Sequence, residues 1–140
     1  GTAGSREPKL PVSGGIVSTA GITPDTRYPW GQCTWWAATR RADIGKPIPG
    51  WGNAATWAGS AASAGYTVDG SPSAGSVIVF QPGVLGASAD YGHVAMVEEV
   101  RGDGSILISE SNALGLGVVS TREISASQLA AAGNGVRYIH

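Results

Sequence analysis

Two hydrophobic rhythms divide the chain. The stretch QCTWWAATRRADI repeats apolar and small residues at helical spacing, and Gly45, Pro47 and Pro49 follow as stop signals. This predicts a first helix over 32–44. A second is predicted over 53–64, with Asn53 as its N-cap, Trp57 and Ala61 on one face, and Gly65 at its end. After this the period falls to two. SVIVF (76–80) reads as a buried strand, HVAMVEEV (93–100) and SILISESN (105–112) as a hairpin closed by RGDG, and GVVSTREI and VRYI as further strands. SASQLAAAG reads as a short helix between the last two. Helices first and strands later predict an α+β domain, with an antiparallel sheet and its helices on one side. Residues 1–24 are rich in Gly, Ser, Thr and Pro and keep no period. They are expected to be a linker or loosely attached arm, with one folded domain over 25–140.

Composition narrows the function classes. The chain has 140 residues, 14% of them charged, and a net charge of -1. That excludes the basic footprint expected of a nucleic-acid or anionic-membrane binder. The pair Arg40-Arg41 is expected on a solvated helix face. No apolar run is long enough to span a bilayer. The first residues, GTAGSREPKLPVSGG, lack the apolar centre of a signal peptide, so any targeting segment is expected to lie outside this sequence.

One cysteine, Cys33, stands at the expected start of the first helix, two residues after Gly31. A lone thiol can be a buried inert residue, an accident or a nucleophile. A helix N-terminus favours the third, because free N–H groups and the dipole stabilise a thiolate there. Gly31 would let the backbone turn tightly into the helix. The N–H groups, with the Gln32 amide, could stabilise an oxyanion. The hairpin supplies the rest. With a four-residue loop over 101–104, Val100 faces Ser105, Ala95 faces Glu110 and His93 faces Asn112, so His93, Glu110 and Asn112 share one side with Ala95, Val97, Ile106 and Ile108. A one-residue slip would destroy that arrangement. A carboxylate or amide beside an imidazole fixes its tautomer and orientation. Glu98 and Glu99 point to opposite faces and cannot act as a pair.

In these residues the chain resembles the CHAP domain, the cysteine- and histidine-dependent amidohydrolase/peptidase module of bacterial cell-wall hydrolases and phage lysins. The matching segments are YPWGQCTWWAA, WGNAATWAGSAASAGYTV, SPSAGSVIVF, YGHVAMVEEV and SILISESN. The resemblance implies a papain-like fold and a secreted, extracellular or cell-wall location. It implies a peptidoglycan substrate and hydrolysis of an amide or peptide bond through a thioester. Cys33 would be the nucleophile, His93 the base, Glu110 its orienting partner, Asn112 a support and Gln32 an oxyanion residue. Fusion to other cell-wall or secretion-machinery domains is compatible with it. Some relatives bind calcium through an acidic loop before the cysteine. Here GITPDTRYPWG carries only Asp25, a turn residue by its Pro-Asp context, so no metal or other cofactor is expected. Trp35 or Trp36 and Trp57 are expected to pack helices on the sheet, whereas Trp30, Trp51 and Tyr91 are candidates for the substrate groove. The loop 81–92 is expected to border it. His140 carries no functional weight. Two other classes use the same residues: a peptidoglycan-binding module without catalysis, and a thiol acyltransferase or transglutaminase.

Overall fold

The computed structural model describes residues 10–140. The first helix forms as α1 (Cys33–Asp43), and Gly45 ends it with φ +77°. The second is shorter than its sequence pattern: a 3-10 turn occupies 54–56 and α2 covers only Trp57–Ser63. Asn53 makes no side-chain cap bond. Thr56 instead donates its hydroxyl to the carbonyls of Trp51 and Asn53, and such local side-chain bonds compete with the helical ladder.

The strands are β1 (Val12–Ser13), β2 (Ile16–Val17), β3 (Val68–Asp69), β4 (Val77–Phe80), β5 (His93–Val100), β6 (Ile106–Ser111), β7 (Val119–Ile124) and β8 (Val136–Ile139). They form one antiparallel sheet in the order β1-β2-β7-β6-β5-β4-β8-β3. The third helix, α3 (Ala126–Ala132), starts with a reciprocal Ser125–Gln128 capping box. The fold is the expected α+β class, but helices cover both faces. Val77, Val79, Val94 and Met96 pack under α1 and α2, while Ile78, Phe80, Ala95 and Val97 pack on the other face with Leu129 and Ala132 of α3. The unbroken apolar run of β4 follows from this, since a strand covered on both faces has no solvated side.

Two expectations are corrected here. Arg40 and Arg41 are not solvated: they are 1% and 2% exposed. Arg40 forks onto both oxygens of Glu98 on β5, and Arg41 donates to the carbonyls of Lys46, Gly75 and His140. Charge alone suggested solvent, but a planar guanidinium can be buried once its donors are matched. Arg40→Ala should therefore lower unfolding free energy in urea by about 3 kcal/mol, the scale for breaking a buried pair on one side. Loss below about 1 kcal/mol would mean the pair behaves like a surface one. The second correction concerns the expected arm. Residues 1–9 lie outside the described ones, but 12–17 form the β1–β2 hairpin, which joins the sheet edge through Ile16 opposite Ser120. Two-residue strands are too short to show a period in sequence.

The β5–β6 hairpin positions the site. Val100 faces Ile106, not Ser105. Asp103 accepts both the N–H and the hydroxyl of Ser105 and draws it into the turn. The loop is thus one residue longer than expected. The slip is undone within β5, where a bulge between Val97 and Glu99 absorbs one residue. Beyond it Met96 faces Ser109 and Val97 faces Ile108, the register expected from sequence. Glu98, in that bulge, is the residue gripped by Arg40 of α1 and by the Ser109 hydroxyl.

Candidate active site

Cys33 opens α1, and the backbone before it is anchored to the end of β6. The Gly31 carbonyl accepts from the Ser111 hydroxyl (2.7 Å) and from the Gly117 N–H (3.1 Å). Gly31 has φ +83°, and a Cβ there would sit 2.7 Å from the Gly117 nitrogen. Only glycine fits both demands. Further along, Trp36 donates its indole N–H to Ser109 of β6 (2.9 Å). The helix that carries the thiol is therefore fastened at three levels to the strands that carry His93 and Glu110.

His93 begins β5 and is partly exposed. Its Nε2 lies 2.9 Å from Glu110 Oε1, which leaves Nδ1 for the thiol side. The Phe80 ring lies 5.5 Å from the imidazole. Cys33 and His93 line the same cleft, where the imidazole and the backbone N–H groups of Val94 and Thr34 favour ionisation of the sulfur. Burial pushes the Cys33 thiol up, but the His93 bond and charge outweigh it and hold the thiol below its ordinary value. Burial likewise pulls the His93 imidazolium down, but its bonds to Cys33 and Glu110, and their charges, raise it to about 9. Glu110 is only 3% exposed. Burial opposes its ionisation, yet the His93 bond and then Arg122 keep its carboxyl below the usual range. The arrangement can hold a thiolate–imidazolium pair next to an ionised carboxylate.

Asn112 takes a different place from the one expected. The strand ends at Ser111, and Asn112 turns left-handed with φ +68°. Its amide N–H donates to Gln32 Oε1 (3.1 Å), not to His93. Gln32 thus keeps its own side-chain N–H groups for another acceptor beside Cys33. The cleft has two lobes that meet at Gln32, Cys33, Tyr91 and Gly92. One, about 700 Å³, runs past His93 and Arg122 to the Gly14–Gly15 tip of the β1–β2 hairpin. The other, about 460 Å³, runs past Tyr28 and Gly50. The loop 81–92 borders the first through Leu85, Gly86 and Ser88. Of the three groove candidates, Tyr91 lines both lobes. Trp30 is 61% exposed and lies against Gly117 and Trp35, and Trp51 packs edge-on against Trp57 and Tyr66. Asp25 closes a local turn by accepting the N–H groups of Arg27 and Tyr28. Among the described residues no three His, Cys, Asp or Glu side chains gather as a metal site would require, and no helix is long and apolar enough to cross a membrane.

Sequence reasoning passed over Arg122. Glu110 pairs with Ser120 on β7, and alternation puts Ser120, Arg122 and Ile124 on one face. A single cation in line with buried Ile124 was the available signal.

A helix N-terminal thiol and an imidazole–carboxylate pair on an antiparallel sheet define the papain-like α+β class. Within it the chain belongs to the CHAP domain family, whose profile matches residues 23–112. An N-acetylmuramoyl-L-alanine amidase domain-containing protein of Staphylococcus aureus is 45% identical over 107 residues, covering 76% of this chain and 17% of that protein. The N-acetylmuramoyl-L-alanine amidase sle1 of the same species is 40% identical over 147 residues, covering 94% of this chain and 41% of sle1. The crystal structure of an N-acetylmuramoyl-L-alanine amidase from Staphylococcus aureus matches with a TM-score of 0.75 and 41% identity, over 82% of this chain and 31% of that one. The chain thus spans less than half the length of these relatives.

Proposed function

We propose that this chain hydrolyses peptidoglycan at the amide joining N-acetylmuramic acid to L-alanine, outside the cell or in its wall. The observation that carries the reading is the helix N-terminal Cys33 sharing one cleft with the hydrogen-bonded pair His93–Glu110, where two open lobes meet. Amidase relatives supply the bond; the residues supply the chemistry. The Cys33 thiolate attacks the carbonyl carbon. Charge moves to the carbonyl oxygen, where the first N–H of α1 and the Gln32 amide can receive it, with Asn112 orienting Gln32. The imidazolium of His93 passes its proton to the leaving nitrogen, the C–N bond breaks, and a thioester remains. Neutral His93 then takes a proton from water, whose oxygen attacks the thioester and releases the acid and the Cys33 thiolate.

The pH dependence follows from the signs of the two shifts. A depressed thiol means thiolate is present from a lower pH than for free cysteine. A raised imidazolium means the proton for the leaving amine is retained until about pH 9. Turnover should therefore plateau between those limits, falling on the acid side as the thiolate is protonated and above about 9 as His93 loses its proton. A profile centred on the ordinary histidine value would oppose this. Mass analysis of fragments from defined muropeptides tests the bond itself. Free muramic carboxyls and peptides beginning with L-alanine are expected, whereas cleavage within the stem or cross-bridge would overturn the amidase assignment.

A further inference from the structure

We propose that Arg122 is a positioning residue for this chemistry, holding both oxygens of Glu110 from the neighbouring strand and tying that carboxylate to the loop that leads into His93. The proposal rests on the Cys33–His93–Glu110 reading above. Arg122 Nε donates to Glu110 Oε2 (3.0 Å) and Nη2 to Oε1 (3.1 Å), while Nη1 donates to the Leu85 carbonyl (2.9 Å). A carboxylate bonded only to an imidazole can still rotate about its own side chain. A two-pronged guanidinium removes that freedom.

The third bond reaches the cleft loop at an unusual point. Leu85 has φ +50°, a left-handed conformation that side chains other than glycine rarely adopt. Its carbonyl is held there by Arg122. Phe80 completes the assembly, with the guanidinium 5.6 Å and the imidazole 5.5 Å from its ring centroid. One aromatic floor therefore underlies both cations that flank Glu110.

The reaction gives this arrangement a purpose. When His93 passes its proton to the leaving amine, it becomes neutral. Glu110 would then be a buried anion without a cation, and would tend to take up a proton. Arg122 keeps a positive charge beside it at that moment. The carboxylate stays ionised, so it is ready to stabilise the imidazolium that forms again when His93 deprotonates water. A merely structural ion pair would contribute to folding and leave the titration of the site unchanged.

The test is the pH dependence of Cys33 alkylation by iodoacetamide, alongside kcat and KM on soluble muropeptides. In R122Q, Glu110 protonates more readily and the thiolate loses support. The acid limb should move up by about one pH unit or more, the usual effect of losing an adjacent cation, and kcat should fall. R122K keeps a charge without the fork or the Leu85 bond, so its limb should stay at the wild-type pH while kcat remains reduced. In an E110Q background, R122Q should shift the limb no further. A folded R122Q with an unmoved limb would overturn the proposal, as would an equal shift in the E110Q background. If R122Q does not fold, R122K decides, and wild-type kcat in that variant overturns the proposal. Failure of the underlying reading looks different: wild-type Cys33 itself would then show a limb at the free-thiol value, about 8.5.

Discussion

Cys33→Ala is expected to abolish peptidoglycan hydrolysis, lowering turnover by about 10⁴-fold or more, while the protein stays folded. The sulfur is the only atom in the cleft that can form the proposed thioester. Its removal leaves the helix N-terminus, Gln32 and both lobes in place, so binding of muropeptides should persist. Cys33 contributes little to the core. It is only partly buried, and α1 is held instead by Trp36 on Ser109, Arg40 on Glu98 and Gly31 on Ser111. The check pairs product release, followed by mass spectrometry, with near-ultraviolet circular dichroism of the five tryptophans. Release at the wild-type rate would remove the thiol from the mechanism.

Glu110→Gln should have the second largest effect, on the order of 100-fold or more in kcat. The shape of the side chain survives, and its oxygen can still accept from His93 Nε2. What disappears is the negative charge that helps raise the imidazolium to about 9. Arg122 is then left facing a neutral amide, and its charge opposes the imidazolium instead of being balanced. The thiolate should be harder to form and the leaving amine harder to protonate. The measurement is kcat against pH: the plateau should be lower and narrower than in the wild type, with KM little changed. A loss confined to KM would point to a binding role for Glu110 and not an orienting one.

The elements and the three central residues could be read from sequence because each left a local signal. Cys33 sat where a helix pattern began, and His93 and Glu110 fell on one face by strand alternation. The turn between β5 and β6 departs from simple alternation. Asp103 draws Ser105 into the loop, which alone would have put Glu110 on the wrong face. The bulge at Glu98 restores the pairing, and it is held by Arg40, 58 positions away in sequence. No local pattern reports such compensation, because it depends on a contact between α1 and β5. The burial of Arg40 and Arg41 was hidden for the same reason, since their acceptors come from distant segments. Arg122 comes beside Glu110 only through the β6–β7 pairing, which no tight turn in the sequence announces. A strand pattern does not reveal the left-handed turn at Asn112 that follows the end of β6. The β1–β2 hairpin was invisible because two residues per strand cannot show alternation, yet its tip walls the larger lobe.

In the proposed mechanism His93 holds its proton as the partner of the Cys33 thiolate across the cleft. Titration of the His93 ring by nuclear magnetic resonance tests it most directly, with His140 as the only other imidazole in the chain. His93 should titrate at about 9 in the wild type and at a distinctly lower pH in Cys33→Ala, where the thiolate is gone. A His93 that titrates near the ordinary histidine value in both proteins would contradict it.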